Sequence, residues 1–477
     1  MMKDWAERFW RSLSLAGLLA GTLFFAASLT PSLIPRGFAV QGVLSGIAFS
    51  AGYGIGTLGQ WLWAWLELPA PQARGMRIAK QAAAVACTGI ALAFLWQASA
   101  WQNSIRDLMG MEPVESARPV QVGLIALAVF IALLAIGRLF RLVGRLVSRR
   151  LRAFLPRRIA AASGIAVAAV LFVGVANGVL LRYALHVADS SYRAMDELIE
   201  DGTSPPGDPQ KTGSAASLLS WEGLGRAGRD FVSSGPSAEQ IGAFLGREAK
   251  EPIRVYAGLG SAETPAERAK LALEELKRVG AFERSTLVIV TPTGTGWVDP
   301  AAADTLDYLQ GGDVASVAIQ YSYLASWLSL LVEPGYGSDA SRALFHEVYD
   351  YWTTLPKDHR PKLYLYGLSL GAMNSELSNE LFEVLGDPYQ GALWAGPPFA
   401  SRIWRSITAG RNPGTPFWLP RFRDGSYVRF TSQQNALDIP GAHWGPLRVV
   451  YLQYASDSVT FFDPYSFYRA PEWMSQP

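Results

Sequence analysis

The chain has 477 residues, 50% of them hydrophobic and 17% charged, with 16 tryptophans and a positive mean hydropathy. That length exceeds one ordinary domain, and that composition excludes a purely water-borne globule. A single cysteine, Cys87, excludes an internal disulfide framework and a Cys-rich metal site, and the formal net charge of +2 is informative only through its distribution.

Five apolar stretches before residue 183 are long enough to cross a bilayer: 12–29, 38–63, 80–96, 120–136 and 159–181. Pro31 and Pro35 are expected to end the first. The second carries Gly46, Gly52, Gly54, Gly56 and Gly59, which suits close helix–helix approach in lipid. Trp61, Trp63, Trp65, Trp96 and Trp101 fall at segment ends, where aromatic side chains mark the membrane interface. Cys87 lies in an apolar run and reads as a small buried hydrophobe.

Basic residues set the expected orientation. Lys3, Arg8 and Arg11 precede the first stretch, Arg74, Arg77 and Lys80 precede the third, and eight arginines from Arg138 to Arg158 precede the fifth. The alternate loops hold only Arg36, Arg106 and Arg118. The positive-inside rule then puts the amino terminus and the arginine-rich loop in the cytoplasm, and five crossings put everything after Leu181 outside it. The arginine-rich stretch reads as a topological anchor, with no nucleic-acid module beside it. The first stretch reads as an uncleaved signal anchor, and transport is disfavoured because the five stretches lack an ionisable residue at mid-helix.

Residues 183–252 read as a linker with a small docking element, opened by the turn-forming run Ser204 to Ser214. His186, beside Asp189, reads as an interfacial residue.

From residue 253 strands alternate with helices, the pattern of a mostly parallel sheet covered on both faces. Strands are expected at 253–257, 286–291, 314–321, 363–366, 391–394 and 448–454, and helices at 265–279, 300–309, 340–353 and 372–385. Ligands bind such a sheet at the carboxyl ends of its strands, and three loops there carry chemistry. The first is Gly367-Leu-Ser-Leu-Gly371, a strand-to-helix turn with the Gly-x-Ser-x-Gly form of a nucleophile elbow. It exposes the Ser369 hydroxyl and aims the Leu370 N–H at a developing oxyanion. The second, Thr291-Pro-Thr-Gly-Thr-Gly-Trp297, is where a hydrolase places further oxyanion donors, here Thr293 and Gly294; no Gly-Lys-Ser/Thr follows, so it is no Walker loop. The third, Ala455-Ser-Asp-Ser458, offers Asp457 as the carboxylate that orients a base, with Asp463 as its rival.

The chain resembles a bacterial α/β-hydrolase family with an N-terminal multi-helix membrane domain and a C-terminal serine-hydrolase domain. The similarity rests on Thr30–Pro35, Ile253–Gly258, Thr291–Trp297, Ile319–Leu324, Leu365–Gly371, Ala392–Phe399 and Tyr451–Asp457, in that order. The resemblance implies Ser369 as nucleophile and Asp457 as its acid partner. The expected architecture is therefore an α-helical transmembrane domain of about five helices over 1–182, the linker, and an α/β-hydrolase domain over 253–477. It is a multi-pass protein of the cell (inner) membrane. The expected partners are the lipid bilayer and an ester or acyl substrate, lipid-like if the aromatics of 397–447 form an apolar cap. Trp404, Phe417, Trp418 and Phe422 read equally as that surface or as the cap's own core. No metal, cofactor or nucleic acid is expected.

The base is the open question. Only His186, His346, His359 and His443 exist, and none follows Asp457, where this fold carries its histidine. His359 and His443 precede strands and belong at the amino-terminal edge of the sheet, and His346 belongs to a covering helix. Either the chain stops short of a closing strand and its histidine-bearing loop, the preferred reading, or the 397–447 excursion brings His443 over the elbow. A scaffold or receptor that kept the fold and lost its base is the competing function.

Overall fold

The computed structural model describes residues 7, 9–10, 12–31, 36–69, 73–108, 112–114, 116–175, 196, 199, 203–332, 335–466 and 468–475. They fall in two compact units, Met1–Arg182 and Tyr183–Pro477. His186, Asp189, Pro35 and the end of the fifth apolar stretch lie outside the described residues.

The first unit is a helical bundle: Leu15–Ser28, Phe38–Trp65, Ala73–Leu108, Pro119–Leu151 and Arg157–Val175. Four of these, among the described residues, are long and apolar enough to cross a membrane; Leu15–Ser28, with 14 residues, is apolar but shorter. At 1.5 Å per residue it spans about 21 Å against a hydrocarbon core of about 30 Å. The expected bundle of about five helices is present, with four of spanning length and one shorter. Ser14 caps that helix by accepting from the Gly17 N–H, and a turn follows at Leu29 and Thr30 ahead of Pro31. The glycine reading divides by face. A methyl group at Gly46, Gly52 or Gly56 would lie 2.7, 2.5 or 2.2 Å from a carbonyl oxygen of a neighbouring helix, whereas Gly54 and Gly59 face open space. Trp61, Trp63, Trp65 and Trp96 stay exposed, as interfacial side chains do.

The second unit is built on a seven-stranded sheet in the order β1-β3-β2-β4-β5-β7-β6, every pair parallel. Its strands are β1 Ile253–Ala257, β2 Thr286–Thr291, β3 Val314–Ile319, β4 Lys362–Leu368, β5 Gly391–Ala395, β6 Val428–Thr431 and β7 Arg448–Leu452. Every residue of β1, β2 and β3 is buried, which a parallel sheet covered on both faces requires. The covering helices start where their caps dictate. Thr264 and Glu267 form a capping box ahead of Pro265–Arg278, and Asp299 caps Pro300–Leu309.

Three features of this unit add to what its sequence implies. The helix after the elbow is broken into Leu370–Glu376 and Leu381–Val384. The Ser378 hydroxyl donates to the Ser375 carbonyl there, and Glu380 and Glu383 cap the second piece. The 397–447 excursion contains a strand, β6, which pairs parallel to β7 at the edge of the sheet. Finally, the stretch read as linker buries Leu219, Trp221, Leu224, Phe231 and Val232 in the same core as β1. Arg254 of β1 fastens it by donating to the Phe231 carbonyl, while pairing with Asp307 at 2.6 Å.

Candidate active site

The site grows from the end of β4. Leu368 of β4 is in register with Ala395 of β5, and Ala395 with Leu452 of β7. Ser369, Gly396 and Gln453 therefore leave the sheet side by side at its carboxyl edge. Ser369 has φ +54° and ψ −119°, a left-handed-side backbone that an L side chain rarely adopts. Its N–H donates to the Ala395 carbonyl at 2.7 Å, which holds the turn against β5. The flanking glycines are dictated by space. A methyl group at Gly367 would lie 2.5 Å from the Gly371 carbonyl group, and one at Gly371 would lie 2.2 Å from the Thr291 oxygen. The elbow is thus clamped between its own helix and the end of β2. The Ser369 side chain is half-buried and its hydroxyl has no acceptor among the described residues.

Leu370 is the first residue of the elbow helix, so its N–H has no acceptor within the helix and lies beside Ser369. The Thr291–Trp297 turn differs from expectation. The Thr293 N–H donates to the Trp297 carbonyl at 3.0 Å, and the Gly294 N–H to the Ser326 hydroxyl at 3.1 Å. Both amides are thus already engaged, Thr293 within the turn and Gly294 with Ser326. The turn closes on itself and on Ser326, a contact 32 residues away that nothing local encodes.

Asp457 follows β7 in a loop tied back to the sheet by the Phe399 N–H donating to the Val459 carbonyl. Its Oδ1 accepts from the Val459 and Thr460 N–H groups, and its Oδ2 from the Thr460 hydroxyl at 3.0 Å. A methyl group at Gly396 would lie 3.1 Å from that Oδ2. The carboxylate therefore hangs over the end of β5, the strand next to the one that leads into Ser369, with lone pairs left for one more donor.

None of the described histidines joins them. His346 lies on the covering helix Tyr336–Thr354, 3.8 Å from Glu383. His359 is 79% exposed ahead of β4. His443 is exposed between Ala442, whose carbonyl accepts from Arg429, and Gly445, whose N–H donates to the Ser426 carbonyl just before β6. That is the amino-terminal edge, a strand length of ~15 Å or more from the elbow. The excursion does fold back, but onto β7, and it does not carry His443 over Ser369.

Sequence reading missed the polar layer behind the elbow. Glu376, at the end of the elbow helix, is buried and accepts from the Tyr451 hydroxyl of β7 at 2.9 Å. Burial pushes its carboxyl up to about 8, against the opposing pull of the Tyr451 hydrogen bond. Beside it the Trp404 indole donates to Gln453, whose amide donates to the Trp418 carbonyl, so the cap is bonded to the first residue beyond β7. Trp404 is buried in the core, with Phe417 and Phe422 packed against it, while Trp418 is largely exposed. Most of the cap aromatics are therefore cap core.

Two models of one family match the chain, one described as an alpha/beta-hydrolase family over residues 253–477 and the other as that family's N-terminus over residues 29–236. The chain belongs to this α/β-hydrolase family. No curated protein and no solved structure gives a significant match.

Proposed function

We propose that the chain is a membrane-anchored serine hydrolase that cleaves an ester, or transfers its acyl group, through an acyl-enzyme on Ser369. The observation that carries this is the strained backbone of Ser369, wedged between two glycines at which a methyl group would collide with backbone atoms. Such strain persists where a nucleophile must stand clear of the sheet. In this reading the Ser369 oxygen attacks the carbonyl carbon, the Leu370 N–H stabilises the oxyanion, and Asp457 orients the group that takes the serine proton. The four spanning helices make it a multi-pass membrane protein. The distribution of basic residues favours a cytoplasmic amino terminus and an external catalytic unit, an arrangement that requires Leu15–Ser28 and its flanks to cross as well.

A second reading, a scaffold of the same fold without activity, is favoured by one observation: His346, His359 and His443 all lie away from the elbow. Labelling the full-length protein with a fluorophosphonate probe decides between them. The hydrolase is expected to label and the Ser369→Ala variant to lose the label entirely. An unlabelled wild-type protein, or a label that persists in Ser369→Ala, leaves the scaffold. His443→Ala is expected to label normally.

A further inference from the structure

A cavity of about 320 Å³ lies between the 414–422 loop, β6 and the chain that follows β6, a size within the range of small-ligand pockets. Leu419, Phe422, Phe430 and Ile439 contribute an apolar wall, and Arg421 and Arg429 are the charged residues among those that line it. Arg429 is 4% exposed. Its guanidinium donates to the carbonyls of Gly425, Leu437 and Ala442 and stacks 3.9 Å from the ring centre of Trp444. Those bonds use three of its five N–H groups. Among the described residues no carboxylate pairs with it or with Arg421, which is exposed at the rim.

Carbonyl dipoles solvate a buried cation without neutralising it, so an anion in the adjoining space is strongly favoured. The planar fork of arginine fits a carboxylate, and the apolar wall fits an alkyl chain. We propose that this cavity binds a medium-chain fatty carboxylate, its tail along Leu419, Phe422, Phe430 and Ile439 and its head between Arg421 and the remaining N–H groups of Arg429. The site is separate from the nucleophile and does not depend on Ser369 chemistry.

The test is calorimetric titration of full-length protein in an uncharged maltoside detergent, referenced to protein-free micelles, with octanoate, octanol and acetate. Octanoate is expected to bind at one site, with octanol and acetate at least tenfold weaker. Arg421→Gln is expected to weaken octanoate at least tenfold and leave octanol unchanged, and Leu419→Trp to weaken both by filling the cavity. Ser369→Ala is expected to bind octanoate as the wild type does, so a failed hydrolase reading leaves this one standing. Octanol binding as tightly as octanoate overturns the proposal, as does octanoate binding that survives both Arg421→Gln and Leu419→Trp. Thermal melts of each variant confirm that a lost signal is not a lost fold.

Discussion

At the scale of single residues, the elbow is defined by what cannot be placed there. Gly371 lies against the Thr291 and Pro292 carbonyls, so Gly371→Ala must push β2 and the elbow helix apart. Overpacking of this kind costs about 1–3 kcal/mol. We expect Gly371→Ala to melt lower and to lose fluorophosphonate labelling, because the shift falls on the strained turn itself. A variant that labels at the wild-type rate would show that the turn tolerates the extra atom. These glycines were legible in the sequence because their spacing around a serine already implies the turn. The amides of Thr293 and Gly294 were not, because where an N–H points depends on Trp297 and Ser326, which tertiary folding brings to it.

At the scale of elements, β1 and the elbow helix each carry a buried ionisable group that the strand and helix patterns hid. Arg254 is buried on β1 between Phe231 and Asp307, and Asp307 is itself 1% exposed. Arg254→Met leaves that carboxylate buried without its partner, a change that costs about 3–5 kcal/mol. The expected result is a large fall in the denaturation midpoint of the second unit. Glu376 presents the opposite case, an acid kept neutral by burial. Its carboxyl stands at about 8 in the fold against an ordinary 4.5. Its contribution to stability is therefore complete below about pH 4.5 and is lost as pH rises to about 8, where the folded form gives up its proton. Glu376→Gln keeps the group neutral at every pH. Chemical denaturation at pH 5 and pH 9 should show the wild type losing stability relative to Glu376→Gln by about 3 kcal/mol or more. A constant difference between the two proteins would show that Glu376 titrates normally.

At the scale of the whole molecule, the number of crossings decides which side the second unit occupies. Four crossings put the two ends of the first unit on one side of the membrane, and five put them on opposite sides. Leu15–Ser28 is the helix in question, since its 14 residues fall short of a full span. The proposal of an external catalytic unit needs that helix and its flanks to cross. In a Cys87→Ser background, Asp208→Cys is expected to react with an impermeant maleimide added to intact cells. Labelling only after lysis would put the unit in the cytoplasm and make Leu15–Ser28 a helix packed within one leaflet.

Sequence alone determined the apolar helices, the alternation of strands and helices, and the serine turn. Each is written in local periodicity or in residues within five positions of one another. Tertiary structure alone decided that Val428–Thr431 is a strand, since four residues with an arginine among them carry no period to read, and pairing with β7 is what orders them. It also decided that Asp457 lies beside Gly396 and that His443 lies at the far edge. Those positions follow from the order in which parallel strands assemble, and strand order is a property of long-range packing that no stretch of chain contains.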